Sequence, residues 1–195
     1  VTVRHSPGAA GTVVCNMAAL RAGVLHAIGF TGDDGASYEL RKDLLALGCS
    51  TDHLLYAPER VTSTYLKPRD RSDPSLAGEH NRYDTKNRTP TSESMQQRIV
   101  ESLDSILPHV DAVIAADQVE EEECGVVTQE VVGFLANRAK RYRNVIFWAD
   151  SRRRIRRFRN VIIKPNQFEA VGRENPRPGE EVDPAELSAA IERLK

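Results

Sequence analysis

The sequence contains no apolar run approaching the roughly 20 residues of a membrane-spanning helix. That absence argues against a membrane partner. It has three cysteines, Cys15, Cys49 and Cys124, far apart and odd in number. There is no CxxC and no HxxH spacing, and the five histidines stand singly. A zinc site or disulfide framework is therefore not expected, and a reducing, cytoplasmic setting is. The net charge is −1, so no global field suggests nucleic acid. The opening VTVRHSPGAAG lacks initiator Met and the long apolar region of a signal peptide. What remains is a chain of 195 residues, 40% hydrophobic and 28% charged, the profile of a globular domain with a core.

Strand and helix patterns alternate along the chain. A glycine-bearing turn opens a small-residue helix over about 9–21, and residues 24–30 read as one strand. Leu40, Leu44 and Leu47 share a helical face that Gly48 stops. TSTYLKP and EHNRYDTKN flank a polar Pro/Gly/Ser segment and read as an exposed hairpin over about 61–67 and 79–85. Thr89-Pro90 starts a helix carrying Ile99, Leu103 and Ile106. Residues 111–117, 145–150 and 161–163 read as buried strands. A helix with Val127, Val131 and Leu135 lies between the first two. Asp183-Pro184-Ala185-Glu186 opens a last helix with Leu187, Ile191 and Leu194 as its buried face. The pattern predicts an α/β fold: a mainly parallel sheet with helices on both faces, plus a small protruding β hairpin.

In such sheets ligands bind beyond the carboxyl ends of the strands, where Asp117, Asp150 and the corner Lys164-Pro165-Asn166 fall. Asn166 with Glu169 three residues on has capping-box spacing. The same groups at a helix N-terminus suit a phosphate or a water-bound magnesium ion. Both readings stand on local chemistry. PGAAG (Gly8, Gly11) suits either a ligand near the backbone or close helix packing, and it is neither a P-loop nor a dinucleotide fingerprint. GFTGDDG reads as a turn with a helix cap. Six arginines within residues 152–159 raise nucleic-acid binding, which the interleaved Ile155 and Phe158 and the acidic run 120–123 weaken.

Four motifs in order, PGAAG, IGFTGDDG, WADSR and KPNQFEA, resemble the ribokinase-like sugar kinases of the phosphofructokinase B family. TSTYLKP with NRYDTKNRTP further resembles the branch containing bacterial heptose-phosphate kinases. The resemblance implies ATP-dependent, magnesium-assisted phosphorylation of a sugar or sugar phosphate under a β lid. By that likeness Gly8, Gly11, Thr12 and Asn16 lie on the sugar side. Asp150, Arg152, Lys164, Asn166 and Glu169 lie near the nucleotide phosphates, with Asn166 and Glu169 holding Mg2+ through water. The family usually has glycine where Ala9 stands and asparagine where Thr12 stands. Asn16, one turn on, is placed to substitute.

The family's first strand would precede Val1, and its Gly-Ala-Gly-Asp loop, with anion hole and base, would follow Lys195. The expectation is a partial kinase domain over 1–195, truncated at both ends and inactive alone, with a homodimer contact through the lid. The alternatives are a non-catalytic binding or scaffold domain of the same fold, and nucleic-acid binding through the arginine run.

Overall fold

The computed structural model describes residues 2–73, 75, 78–173 and 175–194. They form two compact units, Val1–Arg88 and Thr89–Lys195.

In the first unit, α1 (Gly8–Ala19) begins where Gly8 takes φ +70°, a left-handed conformation that glycine adopts without strain. Gly11 is its one buried residue, and a Cβ there would stand 2.1 Å from Cβ of Pro7. The expected strand 24–30 is in fact two. β1 (Leu25–His26) pairs parallel with β3 (Cys49–Ser50), and β2 (Gly29–Thr31) pairs parallel with β4 (Leu54–Tyr56). Gly29, the first residue of β2, has φ 155°.

Helix α2 (Gly35–Ala46) connects these pairs. The Asp34 carboxylate accepts from Ser37 N at its start, and Gly48 at φ +74° follows its end. Arg41 ties the helix to the strands: it donates to the Leu54 carbonyl (2.6 Å) and Thr31 Oγ1 (3.1 Å) and lies 3.8 Å from the Tyr56 ring centroid. Asp34 also accepts from Thr62 N at 2.8 Å, anchoring the chain before the hairpin.

β5 (Thr64–Leu66) and β6 (Tyr83–Thr85) pair antiparallel, with Tyr65 opposite Asp84. Both strands are largely exposed, and Arg82 stacks on Tyr65 while pairing with Asp84. In the polar segment between them, Pro74, Leu76 and Ala77 lie outside the described residues.

The second unit holds a three-stranded parallel sheet in order β7 (Ala112–Asp117), β8 (Ile146–Ser151), β9 (Ile162–Ile163). Helix α3 (Glu93–Ile106) starts later than Thr89-Pro90 suggests, because Ser92 supplies the N-cap. It buries Met95, Ile99, Leu103 and Ile106. Helix α4 (Gln129–Arg141) is capped by Thr128, so Val127 precedes it, and it buries Val131, Val132 and Leu135. Arg138 and Asp104 clamp α3 to α4 with two bonds of 2.7 and 3.0 Å.

The strands are buried on one face only. Side chains alternate across a strand, which puts Ala115, Phe147 and Ala149 in the core. On the other face Ile114, Trp148 and Ile162 form a cross-strand row and are exposed, as is Ile146. Two short helices complete the unit, α5 (Gln167–Val171) and α6 (Pro184–Leu194). The expected buried face of α6 differs: Ala190 is buried, Ile191 is exposed, and Leu187 and Leu194 are half-buried. Ala170 and Ala190 are the buried residues of α5 and α6, which contact each other.

Candidate functional site

The carboxyl ends of β7, β8 and β9 lie along one edge of the parallel sheet. In register, Asp117 opposes Ser151 and Ala116 opposes Asp150. Alternation therefore sends Asp117 and Ser151 to the helix-covered face, while Asp150 follows Trp148 to the open one. Asp117 is 4% exposed and Ser151 fully buried.

The Asp117 carboxylate is fully engaged. It accepts from Ser151 Oγ at 2.6 Å and from Arg154 Nε and Nη2 at 3.1 and 2.8 Å. Arg154 also donates to the carbonyls of Val119 and Glu120. Burial alone disfavours the Arg154 cation, but hydrogen bonding to Asp117 and its charge outweigh this and raise its pKa above the ordinary arginine value.

Asp150 faces outward, 3.8 Å from Lys164 Nζ at the end of β9. Arg152 donates through Nε to Gln118 Oε1 at 3.1 Å, and its backbone N–H to the Asp117 carbonyl at 3.1 Å. The next turn contains a complete capping box. Asn166 Oδ1 accepts from the Phe168 and Glu169 N–H groups, each at 2.9 Å, and Glu169 Oε2 accepts from Asn166 N–H at 2.8 Å. The structural reading of this pair is thus met. The cap uses one carboxylate oxygen and the amide oxygen, so Glu169 Oε1 and Asn166 Nδ2 take no part in it.

At this edge Lys164 pairs with Asp150, the Asn166–Glu169 cap follows two residues on in the chain, and Arg152 reaches to Gln118 beyond the end of β7. Lys164 and Arg152 suit an anion, and the Glu169 carboxylate suits a cation. Among the described residues no three His, Cys, Asp or Glu side chains converge as a metal cage. The residues fit magnesium held by a carboxylate, waters and ligand phosphates, the usual mode for that ion.

The glycine-helix residues are in the first unit. Thr12 and Asn16 are exposed one turn apart on α1. Thr12 Oγ1 donates to the Gly8 carbonyl at 2.8 Å, so its proton serves the helix backbone. Gly11 answers to close packing on Pro7.

The arginine run is engaged with its own protein. Arg153 lies 3.7 Å from Glu120, Arg157 pairs with Glu122 and Glu123, and Arg156 donates to the Ala170 carbonyl at 2.7 Å. Arginines and glutamates together line an open cleft of about 550 Å³. Sequence reasoning missed Asp117, Ser151 and Arg154 as a group. The available signal was an acidic run and a basic run following successive parallel strands. Among the described residues, no helix is long and apolar enough to cross a membrane.

No protein-family model matches the chain. Over 133 residues it is 32% identical to the bifunctional protein HldE of Gluconobacter oxydans (strain 621H), covering 67% of this chain and 25% of HldE. Among solved structures it is similar to Sa239, with TM-score 0.62 and 14% identity, over 91% of this chain and 54% of that one. It is also similar to ribokinase from Cryptococcus neoformans var. grubii serotype A in complex with ADP, with TM-score 0.51 and 17% identity, over 93% and 54%. The chain spans about a quarter of the length of HldE and about half that of the two structures. The fold is ribokinase-like.

Proposed function

We propose that the whole protein transfers the terminal phosphoryl group of ATP to a hydroxyl of a sugar or sugar phosphate. The observation that carries this reading is the corner at the carboxyl edge of β7–β9. There Lys164 pairs with Asp150 on the open side of a parallel sheet, and the Asn166–Glu169 cap follows two residues on in the chain. Likeness to a ribokinase crystallised with ADP supports the nucleotide. The HldE match agrees with the heptose-phosphate kinase branch.

In this reading the cations Lys164 and Arg152 bind and orient nucleotide phosphates. Glu169, through the carboxylate oxygen that the cap leaves unused, and Asn166 hold a magnesium ion through water. Magnesium supplies charge neutralisation of the phosphates, and phosphoryl transfer depends mostly on such positioning and charge. Gly8, Gly11, Thr12 and Asn16 serve the sugar side, and the β5–β6 hairpin acts as its lid and as a contact with a second copy.

The test is ADP release from the whole protein over a panel of sugars and sugar phosphates, with and without magnesium. Sugar-dependent, magnesium-dependent release is expected. Its absence across the panel, in protein that is folded, would sink the kinase reading. Sedimentation of a Leu66→Lys variant tests the second-copy contact, with loss of dimer expected.

A further inference from the structure

Arg154 contacts none of the residues assigned above to ligand, yet it is the most enclosed cation at this edge. Its side chain is 12% exposed, against 58% for Lys164. Its two bonds to Asp117 reach across from the end of β8 to the end of β7. Asp117 in turn holds three separate points of the 151–154 turn: the Ser151 hydroxyl, the Arg152 backbone N–H through its carbonyl, and the Arg154 guanidinium. The Arg154 N–H closes the turn on Ser151 Oγ at 2.9 Å. Arg154 also pins the opposite loop through the carbonyls of Val119 and Glu120. Asp150 and Arg152 flank Ser151 directly in the chain.

We infer that Asp117 and Arg154 are positioning residues that lock the two loops after β7 and β8 into one body and so aim Asp150 and Arg152 at the ligand edge. The functional half rests on the kinase reading; the mechanical half does not. A buried charge pair of this kind has geometry that a hydrophobic contact would not impose. Removing it would leave the strands paired by their backbone ladders while releasing the turn.

Two experiments decide. The first is backbone hydrogen exchange on this 195-residue chain, comparing Arg154→Met with the double variant Asp117→Asn/Arg154→Met, which leaves no unpaired buried charge. The expected result is exchange about tenfold or more faster at residues 118–124 and 151–158, with α3 and α4 amides unchanged. Unchanged loop exchange in a folded variant overturns the inference. So does global unfolding of the double variant, since the group would then be a general stabiliser.

The second experiment is kinetic, on the whole protein. Loss of aim predicts kcat/KM for ATP lower by about a hundredfold in the double variant, with partial recovery in Arg154→Lys, which restores the charge without the two-point bond. Normal kinetics beside loosened loops overturns the positioning role. If the wild type releases no ADP at all, the kinase reading fails, and the exchange data still decide whether the loops are locked.

Discussion

Two aspartates end neighbouring strands of one sheet, one register step apart, and have opposite fates. Asp117 turns to the helix-covered face and is tied up by Ser151 and Arg154. Asp150 turns to the open face and meets a mostly exposed lysine at 3.8 Å. The same side chain is a structural counter-ion in one place and a candidate ligand group in the other. The difference comes from strand alternation and from which face the helices cover, not from residue type.

The largest effect is expected at the buried aspartate. Asp117→Ala or Arg154→Ala strands a charge in the interior and should cost about 3–5 kcal/mol in urea unfolding. A loss below about 1 kcal/mol, the exposed-pair range, would erase the contrast with Asp150.

At the exposed corner the loss should appear in rate. Asn166→Ala and Glu169→Gln in the whole protein are expected to lower magnesium-dependent kcat by about 10²–10³-fold, as removal of a transition-state charge contact does. Their folding cost should stay within the roughly 0.5–2 kcal/mol of a lost cap. Unchanged kinetics beside a lowered Tm would return this corner to a purely structural role.

A third aspartate, Asp34, is exposed yet well supplied with hydrogen bonds. Burial alone would raise the Asp34 pKa. The Thr62 and Ser37 N–H groups, the Thr62 hydroxyl and the Ala36 N–H together hold it below the ordinary value. A depressed carboxyl contributes stability above its unfolded pKa, about 3.9, and loses it as pH falls through the lower native value. Asp34→Ala should cost about 0.5–2 kcal/mol at neutral pH, and the deficit should shrink below about pH 4. A pH-independent deficit would show that the lost bonds do not depend on the ionised carboxylate.

The smallest stability effect is expected from Lys164→Met. Breaking an exposed pair should change stability by less than about 1 kcal/mol, while ADP affinity of the whole protein falls. Calorimetry measures both, and a stability loss without an affinity change would make Lys164 a structural partner of Asp150.

Much of the fold could be read in advance where the signal is local. Asn166–Glu169, Asp34 and Asp183 were all legible as caps, because a cap depends on residues two or three apart. The amphipathic spacings of α3 and α4 named most of their buried residues for the same reason. Residues 24–30 misled because an apolar run carries no record of its partners, and the two halves pair with different strands. The strands 111–117 and 145–150 looked buried throughout, since hydrophobicity does not say whether one face or two is covered.

The candidate site divides in the same way. Asp150, Lys164, Asn166 and Glu169 were visible as polar residues at strand ends. That Asp117 belongs to a different, buried group was not. The composition and spacing of the chain determined its alternating α/β order, its caps and its polar strand ends, since each depends on a few neighbouring residues. Which aspartate faces inward, where a strand breaks and which arginine is enclosed were decided by register and by contacts 34 to 37 residues apart. Burial is a property of assembled elements, and no short stretch of sequence carries it.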